Sequence, residues 1–144
     1  MNLKERIQKR AKELFPDMKG IREHLHAHPE LSFKEYETSR FLQDQLMKAG
    51  IPFTKGHAGT GIVALIEGTD PGKKVLLLRA DMDALPIEEK NQVEYCSKNK
   101  GVMHACGHDV HSTCVLGAAI ILNELREHFK GTIKVAFQPG EEVL

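Results

Sequence analysis

Three side chains that can bind a metal ion fall within five residues of the chain: His104, Cys106 and His108. They alternate along the sequence, so an extended backbone would place all three on one side. Thiolate and imidazole groups both suit zinc or a similar divalent ion, and Gly107 lets the backbone turn sharply or pass close to a metal. A single buried histidine is more often a core residue than a ligand, but three such groups at this spacing favour a metal site.

Pairs of carboxylates follow two of the predicted strands. Asp81 and Asp83 come directly after one strand and point the same way if the chain stays extended. Glu141 and Glu142 come directly after another strand. Open α/β sheets bind ligands at the carboxyl ends of their strands, although each pair taken alone is also typical of a solvated turn. Together with the histidines and the cysteine, they supply the ligands and the base that hydrolysis by a metal-activated water requires.

A closed structural zinc site is the competing interpretation, with the ligands Cys96, His104, Cys106 and His108. The spacing from Cys96 to Cys106 fits no common zinc-finger pattern, so this interpretation ranks second. We expect Cys114 to be a buried, inert thiol on an apolar helix, and Cys96, in a polar loop, to be the more exposed one. Three cysteines are too few for a disulfide framework and favour a reducing cytoplasm.

The composition is that of one ordinary globular domain. The chain has 144 residues, of which 41% are hydrophobic and 28% are charged, and this balance argues against a disordered tail, a collagen-like chain or a coiled coil. Lys and Arg total 20, as do Asp and Glu, so the net charge is zero. This neutrality gives no general reason to bind nucleic acid or an acidic membrane. The apolar run 115–122 is too short for a membrane span, and we see no secretory signal at the N-terminus.

Hydrophobic periodicity predicts three helices. Their predicted ranges are 2–28, 34–48 and 111–130. Pro16 should interrupt or kink the first helix, and Asp109 should cap the third helix at its start.

Runs rich in Val, Ile and Leu predict four strands, at 51–54, 61–67, 74–79 and 132–137. The turn-forming residues 68–73 should join the second and third strands into an antiparallel hairpin. The continuous apolar run 75–78 should be buried on both faces. Residues 85–103 should form a long functional loop, and the order of the elements predicts an α/β layer fold.

Several stretches of the chain resemble the M20 metallopeptidase family that includes the aminoacylases. The similarity is to its amidohydrolase branch of N-acyl-amino-acid, hippurate and auxin-conjugate hydrolases. The matching stretches are HAHPELS at 26–32, GTG at 59–61, RADMDALP at 79–86, GVMHACGHDVH at 101–111 and QPGEE at 138–142. The segment MHACGHD at 103–109 is highly specific to this branch.

The resemblance implies a role for each matching residue. Cys106 would bridge two divalent metal ions, and His108 and Glu142 would each ligate one. Glu141 would be the general base that takes a proton from the bridging water and later protonates the leaving amine. Asp83 would orient the site from behind the ligands. The ions would commonly be zinc, with manganese, cobalt or nickel in some members of the family.

The resemblance also implies a larger protein. The expected fold is the three-layer α/β/α catalytic domain of a di-metal, aminopeptidase-like hydrolase, of which residues 1–144 would be the incomplete N-terminal part. Two further metal-binding histidines, the remaining strands and a lid domain that often forms a homodimer would lie outside the chain. The implied substrate is an N-acyl amino acid or a small peptide-like amide. The alternatives are a non-catalytic metal-binding remnant of such an enzyme and a simple interaction or dimerisation fragment.

Overall fold

The structure is a computed structural model that describes residues 1–143. Leu144, the last residue of the predicted domain, lies outside the described residues. The helices are α1 (Leu3–Ala27), α2 (Tyr36–Lys48) and α3 (His108–Glu124), and a short 3₁₀ turn follows at Arg126–His128. The strands are β1 (Phe53–His57), β2 (Gly61–Glu67), β3 (Val75–Asp81) and β4 (Thr132–Gln138). No helix within residues 1–143 is long and apolar enough to cross a membrane.

Helix α1 begins at a reciprocal cap. The Glu5 amide donates to the Asn2 side chain, and the Asn2 amide donates to the Glu5 carboxylate, which satisfies two free amides of the first turn. The helix continues through Pro16 to Ala27, so the predicted interruption is wrong. Leu14 and Met18, on either side of the proline, pack with Ile121 of α3 in a small apolar cluster. This packing stabilises the helix against the lost hydrogen bond.

The start of helix α3 differs from the prediction. The helix begins at His108, three residues before the predicted start, and its N-cap is Gly107 in the left-handed conformation at φ 86°. Asp109 therefore lies inside the first turn and does not cap the helix. Its carboxylate instead contacts His26 of α1 at 2.7 Å, a long-range contact that the local sequence does not indicate.

The sheet has the strand order β1-β2-β4-β3. Strand β2 is antiparallel to β1 and β4, whereas β3 is parallel to β4. The predicted hairpin of β2 with β3 is therefore wrong, because β4 lies between them. Residues 68–74 cross over the start of β4, where the Gly68 amide donates to the Gly131 carbonyl and the Gly131 amide donates to the Asp70 carbonyl. The turn signal was correct, but the turn spans one strand instead of joining two neighbours.

The core lies on one face of the sheet. From Ile62 in β2 and from Ile133 in β4, buried residues alternate with exposed or partly exposed ones. The register pairs Ile62 with Phe137 and Ala64 with Val135, so these side chains share one face. They pack with buried residues of all three helices. The α/β class is confirmed, and the described residues form a helical layer and the sheet of the expected three layers.

The first half of strand β3 is exposed, contrary to the prediction that residues 75–78 are buried on both faces. Val75, Leu76 and Leu77 are each more than half exposed. β3 is an edge strand that pairs only with β4 among the described residues. A continuous apolar run is typical of a strand covered on both faces, but no segment within residues 1–143 covers these side chains.

The difference between core and edge leucines gives the first testable expectation. Leu116→Ala, at a fully buried position of α3, should lower the free energy of unfolding by about 2–5 kcal/mol through lost burial and a cavity. Leu77→Ala, at a position 57% exposed on β3, should change it by less than about 0.5 kcal/mol. Urea unfolding of the 144-residue chain followed by circular dichroism measures both values. Equal losses in the two variants would mean that β3 is covered in solution.

Candidate metal centre

The candidate site forms where two parallel strands end. Asp81, the last residue of β3, pairs with Gln138, the last residue of β4. The chain therefore leaves both strands at the same end of the sheet. Helix α3 begins at His108 and packs against β3. The three predicted clusters of polar residues therefore meet at the carboxyl ends of the parallel strands, where open α/β sheets place ligands.

His108 stands at the centre of this cluster. Its Nδ1 lies 2.9 Å from the backbone carbonyl oxygen of Asp83, and because a carbonyl only accepts, Nδ1 donates. The other ring nitrogen, Nε2, faces carboxylate oxygens of Asp81, Glu141 and Glu142 at 3.9, 3.7 and 3.8 Å. A nitrogen donor beside three carboxylates is an arrangement that a divalent cation would stabilise. Metal-binding histidines commonly donate their other ring N–H in this way.

Two groups of potential ligands share His108. One consists of Cys106, His108 and Glu142, and the other of Asp81, His108 and Glu141. Within each group the ligand atoms lie within 4.8 Å of one another. The predicted convergence of Cys106, His108 and Glu142, with Glu141 beside them, is thus present in the structure. The individual roles of these residues remain predictions.

His104 belongs to neither group, so it does not share one side with Cys106 and His108. The chain turns between these positions, with Gly107 in the left-handed conformation and α3 beginning at the next residue. The His104 ring is buried, and neither of its nitrogens has a hydrogen-bond partner within residues 1–143. Burial lowers the pKa of His104 to about 4, so the ring is neutral at physiological pH. Cys96 is likewise absent from both groups of the described residues, which removes the support for the closed zinc site.

Cys106 is half-buried and lies beside the backbone of Asp83. Its Sγ lies 3.6 Å from the Asp83 carbonyl oxygen. Burial and the nearby Glu142 carboxylate raise the pKa of Cys106 to about 11. The sulfur is therefore a neutral thiol without a cation, and binding a divalent ion would release its proton.

Asp83 connects two of the potential ligands, His108 and Glu142, by hydrogen bonds. Its carboxylate, which is fully buried, accepts hydrogen bonds from the Ser32 hydroxyl at 2.7 Å and the Glu142 amide at 2.8 Å. Burial by itself would raise the pKa of Asp83, but these two hydrogen bonds outweigh it and leave the pKa below its ordinary value. Asp83 thus holds His108 through its carbonyl and Glu142 through its carboxylate. Ser32 was not predicted as a site residue, although it lies in one of the matching stretches.

A second polar cluster holds the long loop that precedes α3. His26 Nδ1 lies 2.7 Å from the Asp109 carboxylate, and His26 Nε2 lies 3.0 Å from the Glu89 carboxylate. Glu89 also accepts hydrogen bonds from the Ser97 amide and the Asn91 side chain. Burial would raise the pKa of Glu89, but these partners outweigh it and lower the pKa. The predicted loop is therefore tied to α1 and to the first turn of α3.

The two other cysteines differ from their predictions. Cys114 is exposed and Cys96 is only partly exposed, so their expected order is wrong. The apolar face of α3 is narrower than its sequence indicates, because Val110, His111 and Cys114 lie together on its exposed side. All three cysteines are free thiols.

The chain matches known proteins over most of its length. Residues 77–144 match the model of peptidase family M20/M25/M40. The N-acyl-L-amino acid amidohydrolase of Geobacillus stearothermophilus is 46% identical over 140 residues, covering 97% of this chain and 38% of that protein. The N-acetyl-L-cysteine deacetylase of Bacillus subtilis is 50% identical over 123 residues, covering 85% of this chain and 29% of that protein. The chain spans about a third of the length of these curated relatives.

A solved structure agrees with these sequence matches. The crystal structure of the Bacillus subtilis YxeP protein, described as a dinuclear metal binding peptidase from the M20 family, superposes with a TM-score of 0.87. It is 41% identical and covers 92% of this chain and 37% of that chain. The chain belongs to peptidase family M20/M25/M40, and its fold is part of an M20 catalytic domain.

The lowered pKa of Glu89 predicts how stability depends on pH. A carboxylate whose pKa is lowered on folding stabilises the folded state above its ordinary pKa, about 4.3, and loses this contribution as the pH falls through the folded value. The wild type should therefore exceed Glu89→Gln in free energy of unfolding near neutral pH, and the difference should shrink as the pH falls below about 4. Urea unfolding at a series of pH values measures this, with the exposed Glu127→Gln as the control. A difference that is constant with pH would contradict it.

Cysteine modification tests the ligand groups directly. Without metal, a maleimide should modify the exposed Cys114 fastest and Cys106 slowest, because the raised pKa keeps Cys106 protonated. Added zinc should protect Cys106 and leave the rates at Cys96 and Cys114 unchanged. Peptide mass spectrometry reports each site, and Glu142→Gln should reduce the protection. Equal protection of the three thiols by zinc would count against Cys106 as a ligand.

Proposed function

We propose that this chain supplies part of the catalytic centre of a hydrolase that cleaves the amide bond of N-acyl amino acids or small peptide-like substrates. Hydrolysis would use a water molecule activated by two divalent metal ions. The observation that carries this proposal is the convergence of Cys106, His108 and Glu142 with Glu141 at the ends of β3 and β4. The names of the Geobacillus and Bacillus relatives support the substrate class.

The residues present fit a divalent metal ion. Two ligand atoms on one zinc ion, each at about 2.0–2.3 Å, lie at most about 4.6 Å apart, and the ligand atoms of each group already lie within 4.8 Å. A thiol, an imidazole and carboxylates together suit zinc and also accept manganese, cobalt or nickel. A bound cation would act as a Lewis acid and lower the pKa of a coordinated water.

The surroundings of the two glutamates support different roles for them. The Glu142 amide is held by the buried Asp83 carboxylate at 2.8 Å, and its own carboxylate belongs to the group that contains Cys106. For this reason we assign Glu142 to metal binding, where it would hold a divalent ion together with Cys106 and His108. The Glu141 carboxylate lies 3.7 Å from His108 Nε2, and its side chain is 31% exposed. Glu141 is the more exposed of the two glutamates, since the Glu142 side chain is 23% exposed, and we therefore assign Glu141 as the general base and then as the acid for the leaving amine.

Asp83 completes the assignment without touching a substrate. Its carbonyl orients His108 and its carboxylate orients the Glu142 backbone. Partners of this kind fix the ring orientation and raise the basicity of metal ligands. We place Asp83 in the catalytic machinery as the group that holds both ligands in register.

The rest of the proposal concerns the whole protein. Each ligand group has three members and both share His108, so further ligands are needed to hold two ions firmly. We propose that two histidines, the remaining strands and a dimer-forming lid domain come from outside residues 1–144, and that this segment is the N-terminal part of the catalytic domain. We also propose a cytoplasmic protein, since its three cysteines are free, acting on a small molecule rather than on nucleic acid or membranes.

A non-catalytic metal-binding remnant is the second candidate. It is supported by one observation of the site: among the described residues each ligand group has only three members, which could bind an ion without completing a catalytic centre. Turnover of N-acetyl amino acids by the full product of the gene, lost on chelation and restored by zinc, manganese, cobalt or nickel, would exclude the remnant. Metal binding without turnover would favour it.

Substitution of the adjacent glutamates separates base from ligand. In the full product of the gene, Glu141→Gln should keep its metal and lose turnover by about 10²–10⁴-fold, the usual cost of removing a general base. Glu142→Gln should instead weaken metal binding, because a neutral amide is a poorer donor to a divalent cation, and excess metal should restore part of its activity. Metal stoichiometry and kcat are measured on both variants, with the exposed Glu127→Gln as the control. Loss of metal from Glu141→Gln and its retention in Glu142→Gln would reverse the two roles.

A further inference from the structure

One buried carboxylate has no part in the proposed chemistry. Glu35 precedes α2 and is fully buried. No ion pair within residues 1–143 involves it, and it is instead satisfied by three uncharged donors. Its carboxylate accepts the Phe33 amide at 2.9 Å, the Thr60 hydroxyl at 2.7 Å and the Gly140 amide at 2.9 Å. A buried carboxylate is costly unless it is fully hydrogen-bonded, so its donors are held firmly in place.

The third of these donors lies next to the candidate base. Gly140, Glu141 and Glu142 are consecutive residues, with the candidate base Glu141 in the middle. The Gly140 amide is bound by Glu35, and the Glu142 amide is bound by Asp83. The backbone of Glu141 is therefore held on both sides by a buried carboxylate.

The turn at residues 139–142, called the Gly140 turn below, also depends on close packing. Gly140 has φ 69°, and a Cβ atom at this position would clash with the Phe33 ring. Glu35 binds the Phe33 amide and the Gly140 amide through the same oxygen, Oε1. The Glu35 carboxylate thus holds the backbone of Phe33, whose ring packs against the turn, and the backbone of the turn itself.

We propose that Glu35 is the positioning residue of the catalytic turn: its carboxylate anchors Gly140 and so directs Glu141 and Glu142 at the metal centre. Thr60, in the GTG stretch, holds the other carboxylate oxygen in place. Glu35 acts through geometry and through its acceptor oxygens. It touches neither metal nor substrate.

Glu30 is a matched control for Glu35. It is also a glutamate with three uncharged donors, namely the Glu37 amide and the amide and hydroxyl of Thr38. All of these donors belong to the first turns of α2, so the Glu30 carboxylate holds the helix and has no bond to the Gly140 turn. Shortening either side chain removes hydrogen bonds from uncharged donors, although Glu30 is only partly buried, and only the change at Glu35 releases the turn.

Two substitutions at Glu35 separate the effect of side-chain length from the effect of side-chain charge. Glu35→Asp keeps the charge but withdraws the carboxylate by about 1.5 Å, one carbon–carbon bond, so it can no longer reach the Gly140 amide. Glu35→Gln loses the charge but keeps an acceptor oxygen at the same distance, and the Thr60 hydroxyl can accept from its NH₂ group. Glu30→Asp is the control for general destabilisation.

The experiment uses the full product of the gene and three readouts. These are hydrogen exchange at the Gly140 amide, zinc affinity by chelator competition, and the kcat and KM for an N-acetyl amino acid. Glu35→Asp should raise Gly140 exchange, lower zinc affinity and kcat by about 10–100-fold each, and change KM little. Glu35→Gln should stay within about threefold of wild type in all readouts, because the same acceptor oxygen is present. Glu30→Asp should leave Gly140 exchange, zinc affinity and kcat near wild type.

The possible outcomes distinguish this inference from the proposed function on which it rests. Unchanged Gly140 exchange in Glu35→Asp overturns the anchoring. Raised exchange with zinc affinity and kcat equal to those of Glu30→Asp overturns the positioning role alone. If Glu35→Asp does not fold, Glu35→Gln decides, and a loss of zinc affinity and kcat there overturns the inference. A wild-type protein that binds no zinc and hydrolyses no N-acetyl amino acid overturns the proposed function as well.

Discussion

The parallel pairing of β3 with β4 is the constraint on which the candidate site depends. It brings the carboxyl ends of two strands to one edge of the sheet, so that residues more than fifty positions apart become neighbours. Asp81 ends β3 and Asp83 follows it, and Glu141 and Glu142 follow β4. The crossover between the strands returns through α3, whose first residue is His108. One βαβ connection therefore assembles carboxylates and imidazole that no local segment contains together.

Two buried carboxylates turn this rough convergence into a defined geometry. Asp83 and Glu35 are both fully buried and accept hydrogen bonds mainly from backbone amides and hydroxyl groups. Leaving any of these acceptors or donors unpaired in the interior costs about 1–3 kcal/mol, so the connected segments are strongly restrained. The restraint falls on the residues on either side of Glu141, which leaves that side chain free to act while its backbone is held.

The local charge of the site contrasts with the neutrality of the chain. The net charge is zero, yet three carboxylates and a cysteine gather around one imidazole. The raised pKa of Cys106 reflects burial first and then the nearby Glu142 carboxylate. A divalent cation bound here would relieve the repulsion and stabilise the thiolate. The proposed metal binding would therefore also stabilise this end of the sheet electrostatically.

The sequence by itself determined the residue types and the approximate bounds of most elements, because donor chemistry and hydrophobic period are local properties. The family was implied by the resemblance of several motifs. That resemblance, and the position of the polar clusters at strand ends and before a helix, also predicted that Cys106, His108, Glu141 and Glu142 would meet. Only the tertiary structure decided that β4 separates β2 from β3, since strand pairing depends on contacts between distant residues. The same reason explains the exposed face of β3, the removal of His104 from the ligand groups and the anchoring role proposed for Glu35. Burial and hydrogen-bond partners are properties of the folded neighbourhood, and a pattern of neighbouring letters does not contain them.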